Sequence, residues 1–234
     1  MNEEAILSKV IKKPSVAYTV MQRITQAIIN HEINPGDELP SETELSISMG
    51  VGKSSVREAI KMLSVMGVVE SVQGDGTFIR HSVDEQGINP LVYQMILMQS
   101  GDEYIFELRK MFEPAYTLLA MEHATPEDIK KIAKAVENLE LNVQANKQTA
   151  NDDLSFHEAI LQATHNPYVI KIGQTVLQLF VASIRNSMSN IPGQAVADHK
   201  MILQAFIDRD KAKLTEAVYQ SFEGWSKMLH TAGK

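Results

Sequence analysis

The stretch SETELSISMGVGKSSVREAIKML, residues 41–63, most constrains what this chain can fold into. It contains two helical patterns separated only by a Gly-Val-Gly segment at 50–52. Ser41 followed three residues later by Glu44 is a capping box, which predicts the start of the first helix. A glycine at position 50 permits the left-handed conformation in which many helices end. Two helices joined by so short a turn predict a helix-turn-helix.

A helix before this stretch and a hairpin after it complete a small mixed domain. Residues 15–31 place Val20, Ile24 and Ile28 on one helical face. After the third helix, GVVESVQGDGTFIR predicts a strand, a turn and a second strand, because β-branched and aromatic residues flank Gly74 and Gly76. We therefore expect a tail at 1–14 and a winged helix-turn-helix domain at 15–81, with the hairpin as the wing.

The third helix carries its cations on one strip. At 3.6 residues per turn, Lys53, Arg57 and Lys61 lie together, about a third of a turn from the apolar face. That apolar face consists of Val56, Ala59, Ile60 and Leu63. Cations contact phosphates, and the hydroxyls of Ser54 and Ser55 can donate to base edges in a major groove. A solvated helix face would look the same, but the helix-turn-helix and the hairpin favour a DNA surface.

The total charge argues against unspecific nucleic-acid binding. The chain has a net charge of -7, and residues 1–80 hold eight Lys and Arg against ten Asp and Glu. A nucleoid-type binder would be expected to be basic, so contact with DNA must depend on local arrangement. The segment GVGKSS also fails as a phosphate-binding loop, because Ile47 stands where that motif needs its first glycine and the preceding segment is helical.

The composition predicts a cytoplasmic protein without a membrane segment. The chain has no cysteine, so a bound metal would need nitrogen and oxygen ligands. The first residues lack the apolar core of a signal peptide, and no apolar run approaches the roughly 20 residues that span a bilayer.

From about residue 90 onward the periodicity is helical throughout. We expect six or seven helices after residue 89, with a linker and connecting helix at 82–100 and an all-helical domain at 101–234. The segment SNIPGQ, 189–194, predicts a loop. Helix starts are predicted by capping residues and helix-initial prolines at Thr125-Pro126 with Asp128, at Asn166-Pro167 and at Asp210.

Asp153 and His157 are candidates for a metal site. They are four residues apart, so they share one face of a predicted helix, and His199 at the start of a later helix is a third candidate. A carboxylate and two imidazoles can hold one divalent metal. A hydrogen-bonded pair or a solvated helix face would give the same spacing, and spacing alone leaves these alternatives open.

The segment from Pro35 to Ile79 resembles the winged-helix domain of the GntR family of bacterial transcription regulators, in LPSE, VREAI and G-x-G-T-F. The resemblance implies a dimer on a palindromic double-stranded DNA site. It also implies DNA contacts from Lys53, Ser54, Ser55, Arg57, Gly74 and Gly76. Thr43, Gly52 and Lys53 depart from the residues usual in the family, and Asp75 puts an acid at the wing tip.

The segments LRKMFEPAYTLLAMEHAT, DLSFHEAILQATHNPYV and DHKMILQAFIDRDKAKLTEAV resemble the helical effector domain of the FadR-like branch, the FCD domain. This resemblance implies a metal, with zinc favoured, on Asp153, His157 and His199, but Ser221 stands where a fourth ligand is usual. The site can then hold metal through three protein ligands or have become a metal-free polar pocket. Arg109, helped by Arg185, would bind an anionic effector; the alternative for Arg109 is a surface pair with Glu113.

These patterns together predict a ligand-responsive transcription regulator, most simply a repressor, rather than an enzyme. Its effector would be a small organic acid such as a sugar acid or a hydroxy acid. The alternative is a helical metal-dependent hydrolase or lyase that uses Asp153, His157 and His199. That alternative lacks a clear general base and leaves the winged helix without a role.

Overall fold

The computed structural model describes residues 15–81, 90–98 and 102–232, and the chain divides into two compact units, Met1–Pro90 and Leu91–Lys234. The predicted tail at 1–14 lies outside the described residues, as do residues 82–89 and 99–100 of the predicted linker. The mainly helical class, with an N-terminal winged helix-turn-helix and a C-terminal helical domain, is confirmed.

The first unit begins with three helices, α1 (Val16–Ile29), α2 (Glu42–Met49) and α3 (Lys53–Val65). The hydroxyl of Ser15 accepts from the backbone N–H of Tyr18 and caps α1. Ser41 and Glu44 form the predicted capping box at the start of α2. Gly50 ends α2 with φ 66°, a conformation that glycine adopts without strain, and α3 starts three residues later.

The first unit has its own hydrophobic core, and the hairpin packs into it. β1 (Val69–Val72) pairs antiparallel with β2 (Gly76–Ile79), with Val69 opposite Ile79. Gly74 has φ 83° and Gly76 has φ 155°, so both glycines take the backbone conformation that the turn requires. The buried core consists of Val20, Ile24, Leu39, Leu45, Val56, Ala59, Ile60, Leu63, Val69 and Ile79, which includes the predicted apolar face of α3.

The loop before α2 also pairs with the hairpin, which the sequence analysis did not predict. The backbone N–H of Leu39 donates to the carbonyl of Thr77, and that of Ile79 donates to the carbonyl of Asp37. A Cβ at Gly76 would come within 2.4 Å of Glu38 Oε1, so the end of that flexible side chain would have to move aside for any larger residue.

The second unit contains seven helices among the described residues. They are α4 (Pro90–Leu97), α5 (Asp102–His123), α6 (Pro126–Gln144), α7 (Ala150–Gln162), α8 (Pro167–Asn190), α9 (Pro192–Ile207) and α10 (Lys211–Ala232). α7 packs against α5, α6 and α8, while α9 packs against α6, α8 and α10. Three of these helices therefore meet around one interior region: α5, α7 and α9 supply the side chains described below.

Three of the predicted helix starts are confirmed. Thr125 and Asp128 form a capping box at α6, and Asn166 accepts from two backbone N–H groups at α8. Asp210 accepts from the N–H of Lys213 at the start of α10. The predicted loop at 189–194 is wrong: α8 continues to Asn190 and α9 begins at Pro192, because proline fits the first helical position and only Ile191 is left between them.

Among the described residues, no single helix is long and apolar enough to cross a membrane. Two parts of α8, Pro167–Ala182 and Ile184–Asn190, meet that test of length and composition only as a pair, and they are bent by 48°. Several of their apolar side chains are buried inside the unit, namely Val176, Phe180, Ile184 and Met188.

Candidate functional sites

The exposed side of α3 carries the predicted cation strip. Lys53, Arg57 and Lys61 are exposed, as is Ser54, while Ser55 is half-buried. The opposite side of the helix packs into the core, which fixes the strip outward. Local structure in the first unit therefore presents three cations side by side, although the residues around them are acidic overall.

Arg57 is held by a partner that the sequence analysis missed. Its Nε lies 3.1 Å from each carboxylate oxygen of Glu42, and its Nη2 donates to Oε2 at 2.7 Å. The hydrogen bonds from Arg57 lower the pKa of Glu42; burial opposes them, and the charges of Arg57, Lys53 and Lys61 add to the lowering. The pair is exposed to solvent, so it contributes little stability, but it fixes the side edge of the guanidinium.

The tip of the hairpin is open. Gly74 is exposed, and a Cβ there would meet nothing within 4 Å. Asp75 beside it is exposed too, and the hydroxyls of Ser71 and Thr77 lie 3.1 Å apart across the strands. The tip therefore offers backbone rather than cationic side chains to a partner.

In the second unit, five charged or ionisable side chains from three helices meet in the interior. Arg109 and Glu113 come from α5, Asp153 and His157 from α7, and His199 from α9. Each is at most 6% exposed. We call these five residues the buried charge cluster. The predicted candidates Asp153, His157, His199 and Arg109 are thus brought together, and Glu113 joins them as a member that was expected to form only a surface pair.

One carboxylate of the buried charge cluster bridges the two histidines. His199 Nε2 lies 3.3 Å from Asp153 Oδ1, and His157 Nε2 lies 3.5 Å from Asp153 Oδ2. The ring of His199 stacks on Phe156 with centroids 3.9 Å apart, which holds its orientation. His157 Nδ1 lies 3.1 Å from Glu113 Oε1, but this contact falls outside hydrogen-bond geometry.

The protonation states follow from burial and from the neighbouring charges. Burial lowers the pKa of His199 to about 4, and Asp153 opposes this without cancelling it. Burial would also lower the pKa of His157, but Glu113 and Asp153 outweigh it and raise that pKa to about 9. Burial raises the pKa of Asp153 and Glu113, but the histidines and Arg109 outweigh burial and keep both below their usual values. Two ionised carboxylates therefore face the interior of the cluster.

Arg109 makes the pair with Glu113 that the sequence offered as one alternative, and it also borders a pocket. Its Nε donates to Glu113 Oε2 at 2.5 Å, so the predicted pair exists, but it is buried rather than on the surface. Its Nη2 lies 3.2 Å from His157 Nε2. The guanidinium carbon is 5.6 Å from the ring centre of Phe180 and 5.7 Å from that of Phe222. Because Arg109 also borders a pocket, it links that pocket to the histidines.

The pocket beside the buried charge cluster is partly open to solvent and has a volume of about 20 Å³, which leaves room for about one water molecule. Its polar lining includes Arg109, Asp153, His199, Asp198, Gln194, Ser187 and Ser221. The hydroxyl of Ser221 donates to the carbonyl of Val218 at 2.7 Å. Arg185, predicted as a second effector ligand, is exposed and is not among the residues that line this pocket.

Asp153, His157 and His199 have the donor chemistry and spacing of a metal site. One donor atom from each lies within 4.8 Å of the other two. Zinc bonds to nitrogen and oxygen of about 2.0–2.2 Å place neighbouring donors about 3.3–3.6 Å apart in tetrahedral geometry. Each histidine alone has this spacing from Asp153, at 3.3 Å to Oδ1 for His199 and at 3.5 Å to Oδ2 for His157, so the two contacts use different oxygens of the carboxylate. The residues therefore fit a divalent metal without a large rearrangement.

Glu42 and Asp198 were missed because their partners are distant or ambiguous in the sequence. Glu42 stands 15 residues before Arg57, and helical spacing gives no sign of that contact. Glu113 was named as a partner of Arg109, one turn away, but only the fold shows that this pair is buried. Asp198 directly precedes His199 and lies in the pocket, where burial raises the pKa of its carboxyl.

Family models match most of the chain. The model for the FCD domain matches residues 104–224, and the model for bacterial regulatory proteins of the gntR family matches residues 17–79. The chain is 27% identical to the HTH-type transcriptional repressor NanR of Salmonella newport (strain SL254), over 96% of this chain and 89% of that protein. It is 26% identical to the NanR repressor of Salmonella typhi, with 96% and 88% covered.

Solved structures share the fold. A GntR protein of Streptococcus agalactiae aligns with a TM-score of 0.61 at 23% identity, covering 90% of this chain and 99% of that one. McbR/YncC of E. coli aligns with a TM-score of 0.50 at 18% identity, covering 95% and 100%. At this identity the likeness concerns the fold alone.

Proposed function

Since the chain belongs to the gntR family of bacterial regulatory proteins and carries an FCD domain, we propose that it is a transcriptional repressor controlled by a small organic acid. It binds a palindromic DNA operator as a homodimer, through the exposed strip of α3 and the tip of the wing. The observation that carries the proposal is the pocket bordered by the buried charge cluster, in the domain that the family uses for effectors. Such a protein works in the cytoplasm, where its operator is.

The contact of Glu42 with Arg57 indicates which edge of the Arg57 guanidinium can contact DNA. The carboxylate of Glu42 accepts hydrogen bonds from Nε and Nη2 of Arg57, which form the side edge of the guanidinium. The end edge, with Nη1 and the outer hydrogen of Nη2, stays available for a phosphate or for the acceptors of a guanine. Lys53 and Lys61 flank it as point charges for phosphates. Ser54, Ser55 and the wing residues Gly74 and Gly76 add short donors on either side.

We expect Arg57→Ala to reduce operator affinity at least tenfold, because it removes a bidentate donor from the centre of the strip. The change should leave the melting temperature within about two degrees of the wild type, since Arg57 is exposed and its pair with Glu42 is weak. Gel shifts with duplexes selected from random-sequence DNA measure the affinity, and a thermal melt checks the fold.

Lys134→Ala is the matched control, because Lys134 is an exposed cation of the second unit with a similar surface pair. It should bind the selected duplexes like the wild type. Wild-type affinity in Arg57→Ala, with an intact melt, would show that the strip does not contact DNA.

The polar lining of the effector pocket suits a hydroxylated acid, for which the pocket of about 20 Å³ has to widen. The guanidinium of Arg109 can bind a carboxylate. Asp198, Gln194 and the serine hydroxyls line the rest of the polar wall and can accept from or donate to ligand hydroxyls. A sugar acid or a hydroxy acid presents both kinds of group. Repression then changes if this acid favours one arrangement of the DNA-binding units over another.

A thermal-shift screen tests the effector class. We expect at least one acid from a panel of lactate, malate, gluconate and glucuronate, with zinc present, to raise the melting temperature by several degrees. The matching amides, such as lactamide and gluconamide, should have no effect, because they lack the charge that Arg109 would bind. Equal shifts with acid and amide, or no shift with any acid, would contradict the assignment.

A divalent metal, zinc first, is proposed on Asp153, His157 and His199. The three donors supply one oxygen and two nitrogens, and they come from two helices that the fold holds in place. Bound there, the metal would supply a Lewis-acidic position for a carboxylate or hydroxyl oxygen of the effector. Ser221 would not serve as a fourth ligand, because its hydroxyl already donates to a backbone carbonyl and a neutral serine is a poor zinc ligand.

His157→Ala tests the metal. The wild type should melt at a higher temperature in zinc than in chelator, since a ligand at 100 times its dissociation constant stabilises by about 2.7 kcal/mol. The variant should lose most of this difference. His165→Ala, a half-exposed histidine outside the buried charge cluster, should keep it. Equal losses for His157→Ala in zinc and in chelator, with no metal in elemental analysis of the wild type, would argue for a metal-free polar pocket.

The alternative of a metal-dependent hydrolase or lyase is not supported. The chain belongs to a family of bacterial regulatory proteins, and its relatives are named as transcriptional repressors. Asp153, His157 and His199 are then better explained as part of a binding site than as a catalytic group.

A further inference from the structure

Glu42 places an ionised carboxylate on the cation strip of α3. It is the first residue of α2, and one of its oxygens lies 2.7 Å from Nη2 of Arg57. The hydrogen bonds from Arg57 lower the pKa of Glu42, and the charges of Lys53 and Lys61 lower it further, so all three cations act on this acid. An acid on a surface that is proposed to contact a polyanion weakens the attraction of that surface for any DNA.

We propose that Glu42 is a specificity-determining residue. It occupies the position of a phosphate on Arg57 and thereby weakens binding to DNA that lacks the operator sequence. The inference rests on the proposed contact of the strip with DNA.

The geometry of the contact closes one edge of Arg57 to phosphates. A guanidinium can donate two parallel hydrogen bonds from its side edge, Nε and Nη2, or from its end edge, Nη1 and Nη2. Glu42 fills the side edge, with 3.1 Å to Nε and 2.7 Å to Nη2. A phosphate presents a similar pair of oxygen acceptors, so it can bind this edge only by displacing Glu42. Contacts with the DNA backbone, which carry no sequence information, therefore lose one of the two edges.

The charge of Glu42 acts in the same direction. Away from its operator, a protein is held on DNA almost entirely by cations that neutralise phosphates. Lys53, Arg57 and Lys61 supply three positive charges, and Glu42 cancels one of them at hydrogen-bond distance. Because the first unit has no excess of cations elsewhere, this loss should account for a large part of its attraction for unspecific DNA.

Binding to a matching sequence is weakened less, because it uses the other edge of the guanidinium. The end edge can donate to O6 and N7 of a guanine, provided that the guanidinium faces the base. The side chain of Arg57 is 58% exposed, and without a partner it would lose rotamer freedom on binding. Glu42 holds it before DNA arrives. The carboxylate therefore opposes binding to every sequence and favours binding to a matching one, and the difference between the two is discrimination.

A role in the stability of α2 does not explain this contact. An acid in the first turn interacts favourably with the positive end of a helix, wherever its side chain turns. The N-terminus of α2 is already capped by Ser41 and Glu44. A role confined to stability would also change binding to all DNA alike, whereas discrimination changes the ratio of two affinities.

The DNA affinity of the Glu42→Gln full chain tests the proposal, measured by fluorescence anisotropy at several salt concentrations. The probes are a duplex that the wild type selects from random-sequence DNA and a scrambled duplex of the same composition. The variant should bind the scrambled duplex at least fivefold more tightly than the wild type does, and the selected duplex within about twofold. On the scrambled duplex, the slope of log affinity against log salt should steepen by about 0.9, the value for one more phosphate contact.

Two further variants serve as controls. Glu32→Gln removes the same charge from the same unit, but the carboxylate of Glu32 accepts from Asn30 rather than from the strip, so the ratio of the two affinities should not change. Glu42→Asp keeps the charge and should bind the scrambled duplex as weakly as the wild type. A thermal melt checks the fold of each variant.

The outcomes separate this inference from the proposed function. If the wild type prefers the selected duplex and Glu42→Gln keeps the same preference and the same salt slope, discrimination by Glu42 is overturned and the DNA surface stands. If the wild type selects no duplex, or if Arg57→Ala binds like the wild type, the proposed DNA surface is overturned, and the role of Glu42 with it.

Discussion

The buried salt bridge between Arg109 and Glu113 is the interaction on which the second unit depends. Both side chains are almost completely buried, and burying a charge costs several kcal/mol unless a partner and hydrogen bonds compensate it. Each charge of the cluster is compensated by another member: Arg109 by Glu113, and His157 by Asp153, whose other oxygen lies 3.3 Å from the neutral His199. α5, α7 and α9 can therefore approach each other only in an arrangement that keeps these contacts. The same arrangement borders the pocket and sets the donors of the candidate metal site.

The two units use charge in opposite ways. In the first unit the cations of α3 are exposed to solvent, screened by salt and worth little for stability, so they are available to a polyanion. In the second unit the charges are withdrawn from solvent, and their protonation depends on each other. The proposed contact with DNA depends on local placement on α3 rather than on the net charge of -7, while burial makes the cluster sensitive to any added cation or anion.

Much of the fold could be predicted because it depends on short-range rules. The capping boxes at Ser41 and Thr125, the left-handed Gly50 and the glycine turn of the wing are local signals, and all four are confirmed. The prediction of a loop at 189–194 was wrong because a proline and a glycine, which usually indicate a loop, can also stand at the first positions of a helix. The pairing of the loop before α2 with β2 joins residues far apart in the sequence, so the periodicity of either segment could not predict it.

The candidate sites show the same limit. The spacing of Asp153 and His157 placed them on one helix face and left His199 as a third candidate on a later helix, but only the fold shows the distances between them. The contacts of Glu42 with Arg57 and of Arg109 with His157 span 15 and 48 residues, so neither could be predicted from spacing. The pair of Arg109 and Glu113 would contribute almost nothing to stability on the surface, but it is buried, so each charge needs the other.

The most direct measurement for this account is the free energy of unfolding of Glu113→Gln, against Glu127→Gln as an exposed carboxylate with a surface pair. The change at Glu113 leaves the buried guanidinium without its counter-charge, and it should cost about 3 kcal/mol, whereas the change at Glu127 should cost less than about 1 kcal/mol. A loss at Glu113 no larger than that at Glu127 would contradict the claim that the buried charge cluster holds the three helices and the pocket in place.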